Sequence, residues 1–186
     1  MPKRIVIIGP ESTGKSTLSA DLAAYFDEPW VPEYAREYLE EIGRPYSFSD
    51  LSEIAKGQLA AEERLSQAAR RFLFCDTDLR VIQVWSEHKY GKLDSWIGET
   101  ISRRYYDGYL LTSIDMPWEP DPLREHPDPG MRQYFYETYH ELLTVAQVPF
   151  LPVAGSREER LMTAVEWIQR LYQDPNSGNM RDIPEI

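Results

Sequence analysis

Residues 5–17 read IVIIGPESTGKST, and the punctuation of that stretch decides the fold. The short β-branched run from Arg4 to Ile8 stops at Gly9-Pro10, the length and ending of a strand buried in a parallel sheet. Beyond the loop, Leu18, Leu22, Ala23 and Phe26 recur at helical spacing. Between strand and helix, Gly9, Gly14, Lys15 and Ser16 fit G-x-x-x-x-G-K-[ST], the phosphate-binding loop (P-loop), in the context that pattern requires. Glycines let the loop turn its N–H groups inward around phosphate oxygens, and the helix N-terminus adds a favourable field. Gly9, Ser12, Thr13, Gly14, Lys15, Ser16 and Thr17 are therefore the expected ATP contacts, with Lys15 reaching the β- and γ-phosphates and Ser16 binding Mg2+. Glu11 is the odd residue. A carboxylate aimed at bound phosphates is repelled, so its side chain should turn away, toward the acceptor or solvent.

Working outward, a second strand is expected from Trp30 to Glu33, then a brief polar helix ending near Gly43. From Asp50 to Ala69, Leu51, Ile54, Ala55, Leu59, Leu65 and Ala68 hold one face of an amphipathic helix, with Glu62, Glu63 and Arg64 elsewhere. RFLFCDTD (71–78) is a third strand ending in acids, helices follow around Leu79–Tyr90 and Asp94–Tyr105, and Tyr109–Ser113 is a fourth strand. Met131, Tyr134, Phe135, Thr138, Tyr139, Leu142 and Leu143 make a helical stripe, read as core. VPFLPVAG (148–155) is the fifth strand. Ser156 and Glu159 have capping-box spacing, so a last helix starts there and runs to about Tyr172. Strands alternating with helices predict an α/β P-loop NTPase, a five-stranded parallel sheet with helices on both faces and a lid loop. One domain is expected over 1–174, with a polar tail at 175–186.

The 186 residues carry a formal net charge of −11, which leaves no broad basic surface for nucleic acid or an anionic membrane. Cys75 is the only cysteine, so there is neither an internal disulfide framework nor a multi-cysteine zinc site, and a buried core thiol in a reducing cytoplasm is expected. The apolar run before Gly9 is too short for a signal peptide or a membrane span. His88, His126 and His140 lack metal-ligand spacing and are read as surface or structural.

Three further stretches carry chemistry. In VPEYARE (31–37), at the C-terminal end of the second strand, Glu33 is placed to accept a proton from an attacking hydroxyl, with Tyr34 and Arg36 on the substrate side. In FLFCDTD, Asp76 is the Walker-B-like carboxylate serving magnesium, and Asp78 is either a second ligand or base or a helix cap before Leu79. Five prolines between Asp115 and Gly130 oppose regular structure, and a long loop inside a compact domain suits a lid that excludes water. Arg124 is its candidate cation for the transferred phosphoryl group, Trp118 could stack on a planar substrate, and Trp85 is a further substrate-side candidate, although both tryptophans also suit core packing. A nucleoside triphosphate site is thus indicated, with kinase, GTPase and AAA-type ATPase all open on the motif and an ATP-hydrolysing regulatory module as the rival to a kinase.

With the loop, PEYARE, CDTD, YLLTSIDMPWEPDPLRE and a final PVAG in this order, the sequence resembles the ATP-dependent ribosylnicotinamide kinase domain of NadR-type proteins over roughly Lys3 to Leu171. The resemblance implies a nucleoside-kinase-like P-loop fold that phosphorylates the 5'-hydroxyl of nicotinamide riboside with ATP and Mg2+, giving nicotinamide mononucleotide. It implies that Gly9 to Thr17 hold the ATP phosphates, Glu33 and Arg36 face the riboside, Asp76 serves magnesium and Arg124 closes over the phosphates. Larger members carry an adenylyltransferase domain ahead of the kinase, so only the kinase activity is carried over. Pro32 stands where those members often have tryptophan. A kinase for another nucleoside or nucleotide is the neighbouring alternative, and the expected partner is a small-molecule nucleoside.

Overall fold

The computed structural model describes residues 1–173, and the expected tail at 175–186 lies outside them. Five strands, β1 (Lys3–Ile8), β2 (Trp30–Val31), β3 (Phe72–Asp76), β4 (Gly108–Thr112) and β5 (Phe150–Val153), form one sheet in the order β2-β3-β1-β4-β5, with every pair parallel. Among the described residues seven helices connect and cover them: α1 (Lys15–Phe26), α2 (Tyr34–Ile42), α3 (Phe48–Ser66), α4 (Leu79–Tyr90), α5 (Ser95–Arg103), α6 (Pro129–Val145) and α7 (Arg157–Gln173). The expected five-stranded P-loop architecture is the one present.

Alternation along β1 builds two cores. Ile5 and Ile7 face α1 and α7, joining Leu22, Phe74, Leu110 and Ile168. Val6 and Ile8 face the other way, joining Leu73, Cys75, Tyr109, Phe135 and Tyr139. Ile5 to Ile8 are all fully buried, as the unbroken apolar run requires. A smaller cluster around Leu51, Ile54, Leu79 and Ile97 ties α3 to α4 and α5. Because strand order reverses around β1, the crevice at its C-terminal end, where the quoted loop begins, is the ligand position of such sheets.

Boundaries shift for local reasons. β2 stops at Val31 rather than Glu33, since Pro32 has no N–H for the ladder. α3 starts at Phe48, two residues before the expected Asp50, because Ser47 and Asp50 form a capping box with an aspartate in place of the usual Glu or Gln. Glu62, placed by periodicity on the polar side, is fully buried against Arg104 (2.7 Å) and the Tyr106 hydroxyl (2.9 Å). α6 begins at Pro129 under an Asp128 cap, and Ser156 and Glu159 make the expected reciprocal cap of α7. Among the described residues no helix is long and apolar enough to cross a membrane.

Candidate active site

The loop is held by close approach. Gly9 has φ +149°, and a Cβ there would lie 2.3 Å from Thr112 Oγ1 and 2.9 Å from the Thr112 carbonyl, so the chain can pass over the end of β4 only as glycine. Thr13 is fully buried, its hydroxyl 2.7 Å from the Pro10 carbonyl and 2.6 Å from Thr112 Oγ1, which in turn lies 3.2 Å from the Ile8 carbonyl. Of the expected ATP contacts, Thr13 thus has its side chain engaged and its carbonyl taken by Arg160, which leaves its backbone N–H to face a ligand. Gly14, in the left-handed region at φ +77°, opens α1 with no side-chain cap, so the first amides of the helix are left for an anion. Lys15 Nζ donates to the Pro10 carbonyl (2.8 Å), lying across the same loop. Residues 9–17 line a cavity of about 280 Å3 together with Glu33, Arg36, Trp85 and the lid residues Glu119, Leu123 and Arg124.

Two carboxylates meet this loop. Glu33 precedes α2 without capping it and faces the cavity while ringed by protein. Burial pushes its carboxyl up to about 7, a rise opposed by the Lys15 ammonium, reinforced by Asp76 and opposed again by Arg36. Asp76 ends β3 opposite Ile7, and its burial raises it against the pull of Lys15 and Ser16. Its Oδ1 is buried with no partner from the protein. Among the described residues no group of three or more His, Cys, Asp or Glu is assembled to hold a metal. One orphaned carboxylate oxygen beside a serine hydroxyl does suit Mg2+, which keeps most of its waters and takes phosphate oxygens for the rest.

Asp78, the alternative metal ligand, is corrected to a cap. The chain turns at Thr77, a β-branched residue at φ +72° that costs about 1–2 kcal/mol of strain, and this turn separates the two acids. Asp78 Oδ1 accepts from Arg80 N (3.0 Å) and Oδ2 from the Tyr109 hydroxyl (2.9 Å), away from the phosphate cavity. Burial raises it to about 6.

The lid lies over the loop. Arg124 donates to Ser12 Oγ (3.3 Å) and the Glu119 carbonyl, and Ser12 Oγ also accepts from Glu119 N (2.9 Å). Arg36 lines the cavity but pairs with Asp121 of the lid (2.7 Å). Glu11 turns both oxygens to lid backbone, accepting from Glu125 N (3.0 Å) and His126 N (3.1 Å). Trp85 lines the main cavity and an adjoining one of about 240 Å3 with Tyr46, His88, Lys89, Glu125 and His126.

Two substrate-side candidates do not line the cavity. Tyr34 packs on α3, where a Cβ on Gly57 would come within 1.9 Å of its ring, so it pins α2 instead of facing the cavity. Trp118 sits with its ring centroid 5.9 Å from the guanidinium carbons of both Arg124 and Arg132, tying the lid to α6. Conversely, Phe135 and Tyr139, read as core, and His126, read as surface or structural, also line the cavity.

Two arginines escaped the sequence reading. Arg132 donates to the Ser12 and Met116 carbonyls (3.2 and 3.1 Å), and Arg160 pairs with Asp115 while donating to the Thr13 carbonyl (2.7 Å). Neither lies in a recognisable motif; the only signal was an arginine on a helix that must pack near the loop.

The family profile described as AAA domain matches residues 4–160. The trifunctional NAD biosynthesis/regulator protein NadR of Escherichia coli (strain K12) is 27% identical over 176 residues, which is 91% of this chain and 42% of that protein, so the chain spans less than half the length of this curated relative. A crystal structure of NadR protein in complex with NAD and AMP-PNP superposes with a TM-score of 0.75 at 22% identity, covering 100% of this chain and 52% of that one. NadR in complex with NR matches equally, at 0.75 and 23% identity over the same shares of the two chains. With a P-loop, a Walker-B-like strand end and a profile match running from β1 into α7, this chain belongs to the AAA domain family.

Proposed function

We propose that this chain is a cytoplasmic, ATP-dependent kinase that phosphorylates the 5'-hydroxyl of nicotinamide riboside to give nicotinamide mononucleotide. The observation that carries the reading is the placement of Glu33: its carboxyl, pushed up to about 7 by burial, shares one cavity with the phosphate loop, Lys15 and Arg124. A base poised near neutral pH opposite a phosphate cradle suits transfer to a hydroxyl. The similarity to NadR bound to NR and to AMP-PNP supports the same donor and acceptor.

In this mechanism the loop amides and Lys15 hold the β- and γ-phosphates. Ser16 and Asp76 would hold Mg2+, which when bound neutralises phosphate charge. Glu33 takes the proton of the 5'-hydroxyl as that oxygen bonds to the γ-phosphorus, the bond from phosphorus to the β,γ-bridging oxygen breaks, and ADP leaves. Arg124 stabilises the charge on the phosphoryl group in transit, and the lid keeps water from competing. Asp78 serves the fold, not the metal.

The acceptor end favours a flat ring and, on balance of charge, a cation. Tyr46, Trp85 and Phe135 provide aromatic surface, and the Glu11 and Glu125 carboxylates outnumber the one ammonium there, Lys89, which pairs with Glu125 and lies over the Tyr46 ring. Nicotinamide riboside carries its positive charge on the pyridinium ring, whereas a nucleoside monophosphate would bring negative charge toward these acids. A panel of acceptors tests this: nicotinamide riboside should be phosphorylated faster than its uncharged dihydro form or neutral nucleosides, and monophosphates should not be accepted. Preference for a monophosphate would overturn the assignment.

A further inference from the structure

A carboxylate inside a phosphate loop needs a reason, because bound phosphates repel it. Glu11 has one in its partners: Oε2 accepts from Glu125 N at 3.0 Å and from His126 N at 3.1 Å, and Oε1 lies 3.3 Å from Glu125 N. The neighbouring Ser12 hydroxyl accepts from Glu119 N at 2.9 Å. Two consecutive loop residues therefore hold the two limbs of the lid, and Leu123 and Arg124, which line the cavity, hang between them. Outside this bracket, the Glu125 side chain is met by Lys89 (3.1 Å) and the Tyr46 hydroxyl (3.2 Å), so the strand of lid that Glu11 grips is held from both sides.

We infer that Glu11 is a positioning residue: its carboxylate clasps the Glu125 and His126 N–H groups and so sets Arg124 and His126 over the cavity, instead of binding the acceptor. An ionised acceptor strengthens both bonds, which accounts for an acid at a position where a neutral residue would be easier beside phosphate. The clasp also joins the segment that grips the donor to the segment that shields the transfer, so closing the lid and seating the triphosphate are one event. The kinetic half of the inference rests on the kinase reading; the clasp itself does not.

The test is amide hydrogen exchange across residues 119–126 in the protein without nucleotide or acceptor, on wild type, Glu11→Ala and Glu11→Gln. Glu11→Ala should exchange at least tenfold faster there with the strands of the sheet unchanged, and Glu11→Gln, whose amide oxygen still accepts, should fall between. In turnover, kcat should drop in the same order with a smaller change in acceptor KM, and the share of ATP lost to hydrolysis should rise. Exchange unaltered in Glu11→Ala, with acceptor KM alone raised, would make Glu11 a direct acceptor ligand and overturn the clasp. Should Glu11→Ala not fold, exchange in Glu11→Gln equal to wild type at both amides, with acceptor KM raised, would overturn it too. Since exchange needs no substrate, failure of the clasp and failure of the kinase reading are separate results.

Discussion

Replacing Glu33 by glutamine should stabilise the protein while disabling it. The Glu33 carboxyl titrates at about 7 in the fold against 4.5 in the unfolded chain, so the folded state binds this proton more tightly. Its stability contribution is therefore present below pH 4.5 and is lost as pH rises through 7. At about 1.4 kcal/mol per tenfold in the proton equilibrium, keeping the ionised carboxylate buried costs about 3 kcal/mol at pH 8 and under about 1 kcal/mol at pH 5. Glutamine never ionises, so Glu33→Gln should raise the melting temperature at pH 8 by about 6–12 °C for a chain of this size, and far less at pH 5. The same variant should lose about 10²–10⁴-fold in kcat/KM, along with the rise in rate expected of wild type as Glu33 ionises between about pH 6 and 8. Any limb due to the nucleotide's own terminal phosphate persists in both proteins and so separates itself. Thermal unfolding at the two pH values, with pH–rate profiles, checks both halves. A variant less stable than wild type at pH 8, or a gain equal at both pH values, would refute the reasoning.

Gly9→Ala forces a Cβ to within 2.3 Å of Thr112 Oγ1 and should weaken ATP binding at least tenfold, measured by calorimetric titration. Arg124→Ala should lower kcat about 10²–10³-fold with ATP affinity nearly unchanged, since the residue acts on charge developed during transfer; pre-steady-state ADP formation separates the two. Glu62→Gln leaves the Arg104 guanidinium without its buried counter-charge and should cost about 3 kcal/mol in urea unfolding, without altering acceptor KM.

Much of this was legible because strand and loop chemistry is local. Gly9, Gly14, Lys15 and the apolar run before them announce their own geometry, and the strand-end acids Glu33 and Asp76 follow from sheet topology alone. What was not legible depends on the third dimension. Whether Asp76 or Asp78 meets the loop is settled by one strained turn at Thr77, which no spacing rule encodes. Glu62 sits at a helical position that periodicity marks as exposed, and only Arg104 and Tyr106, more than forty residues away, make its burial possible. Tyr34 and Trp118 had the right chemistry beside the right motifs but are spent on Gly57 and on two arginines. Arg132 and Arg160 reach the loop because α6 and α7 pack beside it, and the sequence signals this only as an arginine on a helix, without saying which face meets the loop.

The most direct test of the central claim is the rate of ADP formation from Mg·ATP with and without nicotinamide riboside. The riboside should raise ADP formation many-fold, with one nicotinamide mononucleotide appearing for each ADP. An unchanged rate, with ATP lost only to water, would contradict it.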